Sequence, residues 1–115
     1  MKHKYRAWDG SRMTTYGIMF NSITGELETA ANMPLMQCTG LTNAAGVEWW
    51  EGDIVEYDGH VCEIVFYNGS FCRKWLSRYD GEIYYYYTVI DNHDLLNFGV
   101  IGNIYENPEL IKVKE

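Results

Sequence analysis

The sequence predicts a mainly β domain with a minor helical component, and three observations carry that prediction. Strand-favouring residues recur in short runs with a period of two, as in Val61, Glu63, Val65 and Tyr67 against Cys62, Ile64 and Phe66. The runs are separated by Asp9-Gly10, Asp58-Gly59, Asn68-Gly69 and Asp80-Gly81, pairs that suit two-residue hairpin turns. The stretch from Leu35 to Tyr57 then reads as a strand, a glycine-flanked turn, paired tryptophans and an acidic turn into a second strand.

Taken in order, His3 to Trp8 alternates basic with aromatic or small residues, the pattern of a half-buried strand. Met13 to Phe20 is rich in β-forming residues but interrupted by Gly17, and Asn21 to Gly25 turns the chain. Glu26 to Met33 reads as a weak strand or irregular structure, and Pro34 argues against a central strand position. Leu35 to Thr39 is a short strand, and Leu41 to Ala45, between Gly40 and Gly46, is a tight loop. Ile54 to Tyr57 and His60 to Tyr67 form a hairpin, and Asn68-Gly69 adds a third strand from Ser70 to about Leu76.

Glu82 to Ile90 is a long strand on which Tyr84 and Tyr86 face one way and Tyr85 and Tyr87 the other. Asp91 to Asn97 offers an N-cap and an acidic first turn for a short helix. Phe98 to Tyr105 is the last strand, and Asn107-Pro108 resembles a cap with proline at the first helical position. Strands joined by Asp-Gly and Asn-Gly turns behind a Gly-Asp-Ile-Val entry resemble the meander of an SH3-like small barrel. The expected architecture is one domain: an SH3-like barrel over residues 35–115, with an N-terminal β-hairpin region over residues 1–34 packed on it.

Composition narrows the partners. The chain has 115 residues, enough for one hydrophobic core, and 47% hydrophobic residues with two prolines place it among globular proteins. No run approaches the roughly 20 apolar residues that span a membrane, and the charged start lacks the apolar core of a secretory signal. Three cysteines, none in a Cys-x-x-Cys pair, argue for free thiols and a reducing compartment. The net charge of −7 disfavours nucleic acid, although Lys2, Lys4, Arg6 and Arg12 crowd the start. Val47 to Glu63, by contrast, holds six carboxylates and no Lys or Arg.

Candidate chemical sites are few. His60-x-Cys62 puts an imidazole and a thiol on one strand face, and Cys72 across the hairpin would extend it to an incomplete metal site; thiols on strands more often fill cores. The acidic run lacks the Asp-x-Asp-x-Asp-Gly pattern of a calcium loop and reads as a solvated rim, with Asp53 serving its turn. Tyr5-Arg6-Ala7-Trp8, and Arg73-Lys74-Trp75 with Arg78-Tyr79, are the aromatic-basic runs that could stack on single strands, and they are the only support in the sequence for nucleic-acid binding. No nucleophile, base and acid set emerges, so no catalytic residue, metal or cofactor is assigned. The candidate interaction surface is aromatic: Trp49, Trp50, Tyr84, Tyr85, Tyr86 and Tyr87.

Three blocks, in order, carry a family resemblance: Tyr5-Arg6-Ala7-Trp8-Asp9; Leu35-Met36-Gln37-Cys38-Thr39-Gly40-Leu41 with Gly46 and Glu51-Gly52-Asp53-Ile54-Val55; and Val100-Ile101-Gly102-Asn103-Ile104-Tyr105-Glu106-Asn107-Pro108-Glu109-Leu110. The chain resembles the YopX family of phage and prophage proteins. Cys38 departs from the family's pattern, and residues 70 to 96 carry little of the likeness. The resemblance implies a small, β-rich, cytoplasmic, phage-encoded protein and transfers no catalytic residue. The functional expectation is a non-enzymatic interaction module acting in the host cytoplasm, a homo-oligomer that also has a host protein as a candidate partner. The alternative is an acidic inhibitor, a nucleic-acid mimic that fills a basic groove of a host or defence protein.

Overall fold

A computed structural model describes residues 4–111. Lys2 and the expected strand start at His3 lie outside them. The chain is mainly β, with 56% strand and 11% helix, and it divides into two compact units, Met1–Cys38 and Thr39–Glu115. Each unit has its own sheet pairings and buried residues.

In the first unit β1 (Tyr5–Trp8) pairs antiparallel with β2 (Met13–Thr14) and, on its other side, with the start of β5 (Leu35–Thr42). The turn after β1 is held by Asp9, whose Oδ1 accepts the backbone N–H groups of Ser11 and Arg12, both at 2.8 Å. These bonds hold the Asp9 carboxyl below the usual carboxylate range. The run expected from Met13 to Phe20 is two strands, because Gly17 breaks it: β2, then β3 (Ile18–Asn21). β3 forms a hairpin with β4 (Glu26–Thr29), and a 3₁₀ turn over Ala30–Asn32 follows. Ala7, Met36 and Cys38 are the buried apolar residues of this unit.

In the second unit the end of β5 leads, through a loop pinned by Asn43, to β6 (Glu48–Trp50). Asn43 Oδ1 accepts from the N–H of Ala45 and of Val47, each at 3.0 Å. β6 is a strand that the sequence pattern read only as paired tryptophans. The sheet that dominates the unit has five strands in the order β10-β9-β8-β7-β11. They are β7 (Asp53–Tyr57), β8 (His60–Tyr67), β9 (Ser70–Tyr79), β10 (Glu82–Val89) and β11 (Gly99–Asn103). The expected meander is therefore present as β7 to β10, and its sheet is curled into half a barrel. Between β10 and β11 runs α1 (Asn92–Asn97), capped as expected by Asp91.

The core of this unit gathers Trp49, Val55, Cys62, Ile64 and Phe98, with Trp75, Ile90, Leu95 and Val100 packed around them. Trp49 is fully buried, so it is removed from the candidate interaction surface: a residue at 0% exposure contacts no partner. Trp50 is half-buried. The entry into β7 is set by Asp53, itself buried, whose Oδ2 accepts the Trp50 N–H at 2.8 Å. At the far end of the sheet, Gly102 leaves room for the Asn107 side chain, which would overlap a Cβ there. Asn107 Oδ1 in turn accepts the Asn103 N–H at 3.3 Å.

Asp53→Ala takes the acceptor from the half-buried Trp50 N–H and should lower stability by about 1 kcal/mol, seen as a lower urea midpoint at unchanged slope. An unchanged midpoint would remove Asp53 from this role.

Candidate functional site

Strand register decides what the large sheet offers on each face. Val55 lies opposite Cys62, Ile64 opposite Arg73, and Trp75 opposite Tyr86, so Cys62, Arg73, Trp75 and Tyr86 share a face. Lys74, Tyr85 and Tyr87 share the other face with Cys72, which is opposite Val65. The expected link between Cys72 and the His60-x-Cys62 pair is thus corrected: Cys72 points the other way, its thiol near the carbonyls of Ser70 and Tyr67 at 3.6 and 3.9 Å. The run Arg73-Lys74-Trp75 is likewise split between faces and makes no continuous stacking strip.

The face carrying Cys62 opens into a cavity of about 460 Å³. Its walls come from Tyr57 and His60 of the β7–β8 hairpin, Trp75 of β9, and His93 and Phe98 at either end of α1. Tyr57 packs against Phe98 at 5.5 Å between ring centroids and edge-on to His93 at 6.3 Å. Trp75 is held flat by stacking on Tyr86 at 4.6 Å and by donating its indole N–H to Thr88 Oγ1 at 3.1 Å.

Arg73 also lines this cavity. Its Nε sits 3.0 Å from Asp94 Oδ1, off the N–H axis, so the contact is an ion pair rather than a straight hydrogen bond. One Nη donates to the Cys62 sulfur at 3.5 Å, and the guanidinium carbon lies 4.7 Å from the centre of the Phe98 ring. Burial alone would push the guanidinium's pKa down, but Asp94 and Cys62 carry it up, so Arg73 is charged. Asp94 also closes a reciprocal cap: its N–H donates to Asp91 Oδ1 at 2.9 Å, and its Oδ2 accepts the Asp91 N–H at 3.1 Å. That backbone donor holds the Asp91 carboxyl below its usual range. Asp91, His93 and Asp94 bring ligand atoms within 4.8 Å of one another, but both carboxylates are already engaged in the cap.

Burial pushes the Cys62 thiol up, and Arg73 offsets this only in part. His60 and Cys62 do line one cavity, yet the thiol is the poor nucleophile that a buried sulfur becomes. The pair the sequence pattern missed is Arg73–Asp94. Its two residues are separated by β10, and nothing in their local pattern marks them as partners; the lone signal was an arginine at an inward position of an alternating strand.

The tyrosine run divides as expected, two rings to each face. Its exposure is the new observation: Tyr84, Tyr85, Tyr86 and Tyr87 are 42, 53, 45 and 38% exposed. Among the described residues β10 is an edge strand, so one of its ladder edges is unpaired and both its faces carry partly exposed rings. Tyr87 stacks on Tyr67 at 3.8 Å, Lys74 Nζ lies 4.6 Å from the Tyr85 ring, and Tyr84 donates its hydroxyl to Glu82 at 2.9 Å.

Two outcomes test this geometry. Arg73→Met leaves Asp94 buried without its countercharge and should cost about 3 kcal/mol in urea unfolding, whereas a loss under about 0.5 kcal/mol would mean that the pair is solvated. Alkylation of Cys62 by iodoacetamide, followed peptide by peptide across pH, should have its midpoint above that of the same cysteine in the urea-unfolded chain, and a midpoint at or below it would contradict the buried setting.

Comparison with known proteins places the chain. The model of the YopX protein family matches residues 14–112. Among solved structures, protein EF1440 from Enterococcus faecalis is 27% identical, with a TM-score of 0.54 over 97% of this chain and 99% of that one. Protein YopX from Bacillus subtilis shares the fold at 22% identity, with a TM-score of 0.58 over 96% of this chain and 97% of its own. No curated protein matches the chain. With the family model covering nearly all the described residues, the chain belongs to the YopX family.

Proposed function

We propose that the chain is a non-enzymatic interaction module that works as a homo-oligomer, with β10 as the seam between copies. The observation that carries this reading is an edge strand bearing four consecutive tyrosines, all of them more than a third exposed. Tyrosine suits such a seam because its body is apolar and its tip hydrogen-bonds. Exposed edges are ordinarily blunted by a lysine, a proline or a bulge. Residues 83–89 hold no charge and no proline, and their ladder with β9 runs without a shift from Glu82 to Val89.

The occupant this edge suits is a second copy of itself. A chain of net charge −7 repels its own copies, and an uncharged strand is where that repulsion is least. Antiparallel pairing of identical edges about a two-fold axis sets each residue opposite one of the same face. Centred on Tyr85, it places Tyr84 opposite Tyr86 of the second copy and Ile83 opposite Tyr87 of the second copy, aromatic or apolar pairs that stabilise a sheet. The resemblance to phage and prophage proteins supports the companion reading of a phage-encoded module at work in the host cytoplasm. The non-enzymatic reading is supported by the burial of Cys62, which raises its thiol and leaves it a poor nucleophile. The acidic-mimic alternative has less support, because Asp53 is buried and Glu56 is spent accepting the Gly59 N–H at 2.8 Å.

Light scattering tests the seam. The chain should show an integral multiple of 13.4 kDa, and Tyr85→Ser with Tyr87→Ser should return it to 13.4 kDa. A wild-type mass of 13.4 kDa across the micromolar range, or a multiple that the double variant leaves intact, would overturn it.

A further inference from the structure

The cavity above Cys62 is separate from the β10 edge and remains unaccounted for by an oligomer. Its volume, about 460 Å³, lies in the range of small-molecule sites, and its walls are largely aromatic around the half-buried cation of Arg73. A guanidinium carries five N–H donors in a fixed fork. Arg73 directs its Nε toward Asp94 and one donor toward a sulfur, which is a weak acceptor. Among the described residues its second terminal nitrogen, Nη2, meets no acceptor.

The fork is held rigid from three sides, by Asp94, Cys62 and the face of Phe98, so a ligand would not have to order it. Asp94 cancels most of its charge, which suits a monoanion and opposes a phosphate dianion. Tyr57, Trp75 and Phe98 supply ring faces and edges for a flat apolar body. We propose that this cavity binds a small aromatic carboxylate, whose ring lies against these side chains and whose carboxylate accepts from the free donors of Arg73.

The probe is benzoate, added to the full chain and followed by NMR shifts of the Trp75 indole N–H and the His60 and His93 ring protons. Benzyl alcohol, which keeps the ring without the charge, and acetate, which keeps the charge without the ring, are the controls. Benzoate should move these signals together with about millimolar affinity, and each control should bind at least about tenfold more weakly. Arg73→Lys, which keeps a cation but loses the fork, should weaken benzoate by about tenfold. If that variant fails to fold, the wild-type comparison of benzoate with benzyl alcohol still decides. No shift with benzoate, equal affinity for all three probes, or undiminished binding by a folded Arg73→Lys would each overturn the proposal. The mass by light scattering, taken on the same samples, keeps this outcome apart from that of the β10 seam.

Discussion

The second unit depends on three hairpin turns in which both central residues take left-handed backbone angles. Asp58-Gly59, Asn68-Gly69 and Asp80-Gly81 have φ values of 51 and 82°, 53 and 86°, and 52 and 79°. Two such residues in succession match the right-handed twist of the strands they join, which is why Asn-Gly and Asp-Gly occupy these places. Each turn leaves the next strand no freedom of register. A slip of one residue would exchange the two faces of the sheet. Cys62, Arg73 and Trp75 would then leave the core side, and Lys74 and Glu63 would enter it.

The two candidate surfaces are products of the same register. On one face, the inward positions of β8 and β9 deliver Cys62 and Arg73 beneath α1, where the capping residue Asp94 supplies the countercharge. An ion pair joins the helix to the sheet there, beside the packing of Leu95 on the core, so the short helix owes its place to a residue of β9 as well as to its cap. On the opposite face, Glu63 lies across from Lys74, and burial raises the Glu63 carboxyl against the pull of that lysine. Among the described residues no strand pairs with the outer edge of β10, and the alternation that buries residues elsewhere leaves both tyrosine pairs in contact with water.

Much of this was legible in the sequence, for reasons that the structure makes plain. The turns were legible because their residue types are dictated by backbone angles, and the Asp91 cap because its carboxylate and the Asp94 N–H are three residues apart. The two-sided tyrosine strand followed from period two alone. Less legible were the elements fixed by distant partners. β6 has only three residues, and Trp49 is buried because Val55 and Ile64 surround it, which no local pattern states. β9 runs on to Tyr79 because β10 pairs with it throughout, well past the Leu76 that its own residues suggested. The Arg73–Asp94 pair belongs to the same class, since it exists only once β9 and α1 have been brought together.

β10 has one edge satisfied within the chain, and in the proposed oligomer a second copy satisfies the other. Amide hydrogen exchange along Glu82 to Val89, measured by NMR at two protein concentrations, tests this most directly. Alternate amides, those directed at β9, should exchange slowly at both concentrations, while the outward set should become slow only at the higher one. Outward amides that exchange fast at every concentration would contradict pairing of this edge, and fast exchange of both sets would contradict the register of β9 and β10 itself.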